Sequence, residues 1–192
     1  MDREESRKQD AEIVKRVLKG DKNAFGELVK KYQSKLGGVV YNYLGPYEDL
    51  DGAVQETFLR AYRQLHTLTD PRQFGSWLVK IARNLCIDTL RKRKEDLQSL
   101  EHVEEKGLQV ESGEIQPVTQ LIEEEDMEKF QEAFDSLDPV YRELLTLKNF
   151  CKLTYDEISD VTGYNKAKIG ELLFKARKAL RKKLEEMSKK EK

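Results

Sequence analysis

The sequence is poor in the residues that build disulfide, metal and nucleophilic sites. Only 2 of its 192 residues are cysteines and 2 are histidines. Cys86 and Cys151 lie far apart in apolar helical contexts, which excludes a disulfide framework or a thiolate metal site and suits a reducing cytosol. His66 and His102 stand at no metal-ligand spacing from each other or from either cysteine, so neither a metal nor a cofactor is expected. No apolar run approaches the roughly 20 residues that a membrane-spanning helix needs, and membrane insertion is not expected. The opening residues, MDREESRKQD, hold no apolar stretch, so a secretory signal is not expected either. No nucleophile, base or metal set is clustered, which speaks against an enzyme. A charge excess is also missing. Lys+Arg 35 against Asp+Glu 36 leaves a formal net charge of -1, and that average by itself argues against a nucleic-acid partner.

What is present is charge in segments. Lys80, Arg83, Arg91, Lys92, Arg93 and Lys94 face a lone acid, Asp88. Further on, Lys166, Lys168, Lys175, Arg177, Lys178, Arg181, Lys182 and Lys183 are opposed only by Glu171. Between the two lies an acidic stretch, from Glu95 and Asp96 through Glu123, Glu124, Glu125, Asp126 and Glu128, in which Lys106 is the only Lys or Arg. Gly107, Ser112, Gly113 and Pro117 interrupt it, and its scattered apolar residues cannot bury enough surface to fold alone. A two-domain chain follows: residues 1–94, an acidic flexible linker over 95–119, and residues 120–192.

Both domains read as helical, and the fold class is all-α. Ile13, Val14, Val17 and Leu18 recur at helical spacing, with Gly20 as a stop. Asp21 then caps a segment carrying Phe25, Leu28, Val29 and Tyr32. A third helix carries an apolar stripe of Val54, Phe58, Ala61 and Tyr62. A fourth begins after Asp70 and Pro71 and continues through Phe74, Trp77, Leu78, Ile81, Leu85, Ile87 and Leu90. Strand-like alternation is nowhere sustained. Gly37-Gly38 is expected to loosen or break its helix, with a short β-prone patch, Val39-Val40-Tyr41, behind it.

In the second domain Leu137, Asp138 and Pro139 open a helix with Tyr141, Leu144, Leu145 and Leu147. Thr154 starts another, with Ile158 and Val161 inward. Thr162, Gly163 and Tyr164 form a turn, and Asn165 caps a basic helix carrying Ile169, Leu172, Leu173, Ala176 and Leu180. A short helix, a glycine-containing turn and a basic helix make the helix-turn-helix pattern, for which an ordinary helical hairpin is the plain alternative.

Several strings carry a resemblance. Val17-Leu18-Lys19-Gly20-Asp21-Lys22-Asn23-Ala24-Phe25, followed by Leu28-Val29-Lys30-Lys31-Tyr32, resembles the opening of the extracytoplasmic-function (ECF) sigma factors of the sigma-70 superfamily. So does Val54-Gln55-Glu56-Thr57-Phe58-Leu59-Arg60-Ala61-Tyr62. The most specific string is Phe74-Gly75-Ser76-Trp77-Leu78-Val79-Lys80-Ile81-Ala82-Arg83-Asn84-Leu85. In the second domain, Leu153-Thr154-Tyr155-Asp156-Glu157-Ile158 and Ala176-Arg177-Lys178-Ala179-Leu180 are similar to the same family. The resemblance covers nearly the whole chain except the linker.

The resemblance implies a non-enzymatic, cytoplasmic bacterial sigma subunit that brings core RNA polymerase to promoter DNA and is held inactive by an anti-sigma factor. Asp51, Gln55, Glu56, Leu59 and Arg60 would then contact core polymerase. Trp77, Lys80, Arg83, Asn84, Arg91 and Arg93 would bind the melted −10 element, although Trp77 equally fits core packing. Lys166, Lys168, Glu171, Phe174, Lys175, Arg177 and Lys178 would meet the −35 element in the major groove.

Several positions depart from the family pattern, among them Gly37-Gly38, where an aromatic and a basic or polar residue are normal, and Asn165, where a proline is common. Gly52 stands where an acidic residue is common, and Asp51 beside it is turned by about 100°, so core binding is shifted or weakened. Gly170, Glu171 and Leu172 stand where basic and small polar readers are usual. Glu171 either specifies an unusual −35 sequence, accepting from a cytosine amino group, or weakens DNA binding outright. Gly170 hints at a close approach to DNA or to a partner. Two rival readings stay open: a free-standing helix-turn-helix regulator, and a sigma-like interaction protein that has lost −35 reading.

Overall fold

The computed structural model describes residues 3–45, 49–100 and 124–190. All regular structure among them is helical: α1 (Arg3–Leu18), α2 (Phe25–Leu44), α3 (Leu50–Gln64), α4 (Phe74–Leu100), α5 (Glu124–Asp135), α6 (Pro139–Leu145), α7 (Tyr155–Thr162) and α8 (Lys166–Lys190). The chain divides into two compact units, the first built on α1–α4 and the second on α5–α8. Among the described residues no helix is long and apolar enough to cross a membrane.

In the first unit the expected punctuation is realised. Gly20 takes a left-handed φ of 106° after α1, a conformation glycine adopts without a Cβ penalty. The Asp21 carboxylate accepts the Ala24 N–H at 3.2 Å over a 3-10 turn. The Arg16 guanidinium joins that corner to α2, donating to Asp21 at 2.8 Å and to Glu27 at 2.9 Å. The Asp70 carboxylate accepts the Arg72 N–H at 3.0 Å, and a second 3-10 turn, Pro71–Gln73, leads into α4.

Aromatic rings lock these helices together. Phe74, with no exposed surface, meets Phe25 of α2 edge-on at 6.4 Å and Tyr32 at 5.5 Å. Phe25 in turn meets Phe58 of α3 at 6.3 Å. Truncating a ring buried this completely costs about 3–5 kcal/mol. Underneath, Asp10 of α1 is 1% exposed. Its carboxylate accepts the Tyr32 hydroxyl and the Lys31 ammonium, each at 2.6 Å. Gly75 explains how α4 comes so close to α2, because a Cβ there would lie 2.8 Å from the Tyr32 hydroxyl oxygen.

The expected break at Gly37-Gly38 does not occur. α2 runs unbroken from Phe25 to Leu44, and the β-prone Val39-Val40-Tyr41 is helical. Leu36, Val39 and Val40 are fully buried on either side of the glycines, and packing of that face outweighs the roughly 1 kcal/mol that each helical glycine costs. At the far end, the backbone of α4 continues to Leu100, six residues into the expected linker. The rest of that linker, residues 101–119, lies outside the described residues.

The second unit opens with α5, which the sequence reading passed over although Met127, Phe130, Ala133 and Phe134 stand at helical spacing. Asp138 caps α6 as expected, accepting the Val140 N–H at 2.8 Å. α6 ends in a π-helical turn, Thr146–Phe150, closed by the Cys151 N–H donating to the Thr146 carbonyl at 2.9 Å. The chain then reverses through Lys152, at a left-handed φ of 58°. Lys148 holds this reversal, donating to the Leu153 carbonyl at 3.2 Å and lying 5.1 Å from the Tyr155 ring centre. Thr154 and Glu157 form a reciprocal capping box at the start of α7. Gly163, at φ 81°, ends α7, and the Asn165 side chain accepts the Lys168 N–H at 2.8 Å to start α8. Leu144, Leu147, Ile158, Ile169, Leu173 and Ala176 fill the core beneath this helix-turn-helix.

Candidate polymerase and nucleic-acid interfaces

α3 presents an exposed mixed stripe. Thr57, Phe58 and Ala61 are buried, which turns Asp51, Gln55 and Leu59 outward at helical spacing. Leu59 is 51% exposed and puts apolar surface in the middle of the stripe. Tyr62 extends the same stripe. It is exposed, with its ring set edge-on against Phe25 at 5.1 Å. The sequence reading placed Tyr62 among the inward residues, because one apolar spacing serves both faces where the stripe is wide. Glu56 and Arg60 sit on the flank of the stripe, joined at 2.7 Å. The bond from Arg60 holds the Glu56 carboxyl below its ordinary pKa.

Asp49 accounts for Gly52. The Asp49 carboxylate accepts the Gly52 N–H at 2.8 Å and caps α3. A Cβ on residue 52 would lie 2.8 Å from Asp49 Cγ. The carboxylate of Asp49 thus occupies the space beside position 52, in the first turn of α3, where the resemblance expects an acidic side chain.

On α4 the basic face is only partly the predicted one. Lys80 and Asn84 are exposed and Arg83 is half-buried, and together they share one side of the helix with Arg91, which lies 3.5 Å from Asp88. Arg93 is exposed but stands two residues beyond Arg91, about 200° round the helix, and so on the opposite side. Ile87, read from its spacing as a core residue, is 38% exposed. It lies between Asn84 and Arg91 and offers apolar surface amid the cations. Trp77 is half-buried and tilted against Phe74 at 6.0 Å, while Phe74 itself is wholly core.

α8 turns Lys168, Glu171, Phe174, Lys175 and Lys178 outward together. Phe174 is 70% exposed, more than any other large hydrophobic residue among those described. Lys166 and Arg177 are also exposed but lie on the flank, and Lys166 is ion-paired back to Asp156 of α7. Glu171 bridges Lys175 at 2.6 Å and Lys168 at 3.5 Å. These partners, the Lys175 hydrogen bond foremost, hold its carboxyl below the ordinary range. Gly170 is half-buried, and a Cβ there would meet the Tyr155 ring at 3.7 Å, an ordinary contact. Room for a side chain therefore exists within this unit.

Of the two cysteines, Cys86 is buried in an apolar cluster with Val40 and Leu50, and burial pushes its thiol up to about 12. Cys151, also in an apolar helical context by sequence, is only half-buried.

The sigma-70 region 2 family model matches residues 28–95, and the sigma-70 region 4 model matches residues 127–180. The ECF RNA polymerase sigma factor SigW of Bacillus subtilis is 30% identical over 179 residues, covering 91% of this chain and 96% of its own. This chain belongs to the ECF family of RNA polymerase sigma factors. The ECF sigma-E factor of Escherichia coli K12 is 32% identical over 178 residues, 89% of this chain and 92% of its own. Among solved structures, the sigma factor RpoE of Bartonella quintana, crystallised with the anti-sigma factor NepR, has a similar fold, with a TM-score of 0.67 at 19% identity over 84% of this chain and 96% of its own. CnrH, solved with the cytosolic domain of CnrY, gives 0.64 at 23% identity over 92% of this chain and 97% of its own. Sigma factors are non-enzymatic initiation factors, and as a member of that family this one directs promoter-specific transcription initiation.

Proposed function

We propose that the sigma factor divides its work between its two ends: residues 1–94 hold core RNA polymerase and the melted −10 element, residues 120–192 read the −35 element, and residues 95–119 connect them. On this reading Asp51, Gln55 and Leu59, flanked by Glu56 and Arg60 and extended by Tyr62, meet the polymerase. The Asp49 carboxylate supplies the negative charge missing at Gly52. Lys80, Arg83, Asn84 and Arg91 follow the phosphates of the opened strand, with Ile87 and Trp77 as apolar surface for unstacked bases. On α8, Phe174 meets a thymine methyl group, Lys168, Lys175 and Lys178 meet phosphates, and Glu171 accepts from a cytosine amino group. Lys166, Arg177 and Arg93 act as peripheral phosphate contacts. The protein itself carries out no catalysis, works in the cytoplasm without a cofactor, and is restrained by an anti-sigma partner, as one of its structural neighbours was solved bound to one.

The observation that carries this reading is the exposed stripe of α3, where Leu59 and Tyr62 lie open beside Gln55. A free-standing helix-turn-helix regulator has no use for such a surface. Run-off transcription with core polymerase across a promoter library is the direct test, and a promoter-specific transcript is expected. Core binding without any specific transcript would leave only an interaction protein. Changing Lys80 and Arg83 together to Ala should reduce open-complex formation more than core binding. Equal losses would remove them from the DNA face.

A further inference from the structure

The outward face of α8 holds its own counter-ions. Glu171 lies between Lys168, one turn before it, and Lys175, one turn after, at 3.5 and 2.6 Å. All three side chains are about half exposed, so neither lysine is shut away from a phosphate. They are engaged rather than hidden. Phe174 and Lys178 lie beside them on the same face. Further along the same side of the helix, about two to three turns beyond Lys175, Lys182 and Glu186 form a comparable pair at 3.6 Å.

We propose that Glu171 is a specificity-determining residue that acts through Lys168 and Lys175, keeping both ammonium groups off DNA phosphates until a base in the −35 element offers its carboxylate another donor. The inference rests on the −35 reading above and deepens it. An acceptor-only carboxylate in the major groove finds nothing to bond on guanine N7 and O6 or on thymine O4, whereas the amino group of cytosine N4 or adenine N6 donates to it. Away from such an amino group, moving the lysines to phosphates strands the carboxylate among acceptors, and the lysines stay with Glu171. Over a cytosine or adenine amino group the carboxylate keeps a partner, and both lysines turn to the backbone. Two phosphate contacts are then gained only on the correct sequence. Ordinary phosphate-binding lysines strengthen every site alike, whereas these strengthen one.

The signature is in the salt dependence. Each phosphate contact adds about 0.9 to the slope of log affinity against log salt, so two contacts add about 1.8. Between 50 and 200 mM salt that is a further loss of about 12-fold in affinity. The experiment measures holoenzyme binding to a promoter with its matched −35 element and to the same promoter with that element scrambled. The wild type, Glu171→Gln and, as a control for charge alone, Glu186→Gln are compared. The wild-type slope should be shallower on the scrambled promoter than on the matched one by about 1.8. Glu171→Gln should steepen the scrambled slope by that amount and so lose discrimination, while Glu186→Gln leaves both slopes in place. An unchanged scrambled slope in Glu171→Gln, or an equal steepening in Glu186→Gln, overturns the proposal while −35 recognition stands. A wild-type holoenzyme that binds both promoters equally at every salt concentration overturns the −35 reading itself.

Discussion

Replacing Gly75 by alanine puts a methyl carbon 2.8 Å from the Tyr32 hydroxyl oxygen, 3.1 Å from Cε1 and 3.3 Å from Cζ. A free surface tyrosine would swing aside. This one is pinned, donating to Asp10 at 2.6 Å and meeting the Phe74 ring at 5.5 Å. The ring moves only by stretching its bond to a carboxylate that is 1% exposed. Overpacking of this kind costs about 1–3 kcal/mol, and a hydrogen bond to a charged group contributes about 1.5–3 kcal/mol. Gly75→Ala should therefore destabilise the first unit by about 2–3 kcal/mol. Tyr32→Phe removes both the bond and the nearest clashing atom, which frees the ring to shift. Alanine at 75 should then cost at least 1 kcal/mol less in that background than in the wild type. Urea unfolding followed by tryptophan fluorescence isolates the effect, because the single tryptophan, Trp77, packs on Phe74 in the first unit. Equal costs of Gly75→Ala in both backgrounds, within the roughly 0.5 kcal/mol expected of independent sites, would refute the idea that Tyr32 is what position 75 makes room for.

Other glycines should behave in the opposite way. A Cβ on Gly37 would meet nothing within 4 Å and one on Gly170 only Tyr155 at 3.7 Å, so alanine at either position should stabilise its own unit by about 1 kcal/mol. Trp77 fluorescence reads the first and amide exchange in α8 the second, and a loss of stability would show unrecognised strain. Cys86 provides a pH test. Its thiol is raised from 9.0 to about 12 in the folded protein, so above pH 9 the unfolded chain loses a proton that the folded chain keeps. Stability is then undiminished below pH 9 and falls as the pH rises toward 12. The fall should be shallower in Cys86→Ala, and identical slopes in the two proteins would argue against a buried neutral thiol.

Local signals predicted the frame of the fold well. Asp21, Asp70, Asp138, Thr154 and Asn165 all cap as their side chains suggest, because an N-cap is decided within three residues. Gly37-Gly38 was misread because helix propensity is a weak local term and the buried neighbours Leu36, Val39 and Val40 are brought together by distant packing. Ile87 and Tyr62 were misplaced for a related reason. An apolar residue at the margin of a helical stripe has the same spacing whether it faces the core or solvent, and only the packed partner helices decide. Gly75 and Gly52 are legible as motif letters, but what they accommodate, a tyrosine ring in one case and an aspartate cap in the other, comes from elsewhere in the chain.

Charge is where counting residues misleads most. The net value of -1 conceals two basic segments, yet the segment counts overstate the charge available to a polyanion. On α8, Lys166 is paired to Asp156, Lys168 and Lys175 to Glu171, and Lys182 to Glu186. For Arg177, Lys178 and Arg181 no such pair occurs among the described residues. Exposed pairs of this kind contribute little to the folded helix, too little to explain them as stabilising devices. A phosphate competes with them easily, but only if the abandoned carboxylate finds a donor. The strength of the pair is therefore less important than where its acid stands. Glu186 lies about 22 Å further along α8 and Asp156 lies on α7, and both exposed carboxylates can relax into solvent when their lysines leave. Glu171 lies within the outward face, beside Phe174, and against DNA its carboxylate either meets a base that donates to it or faces acceptors only.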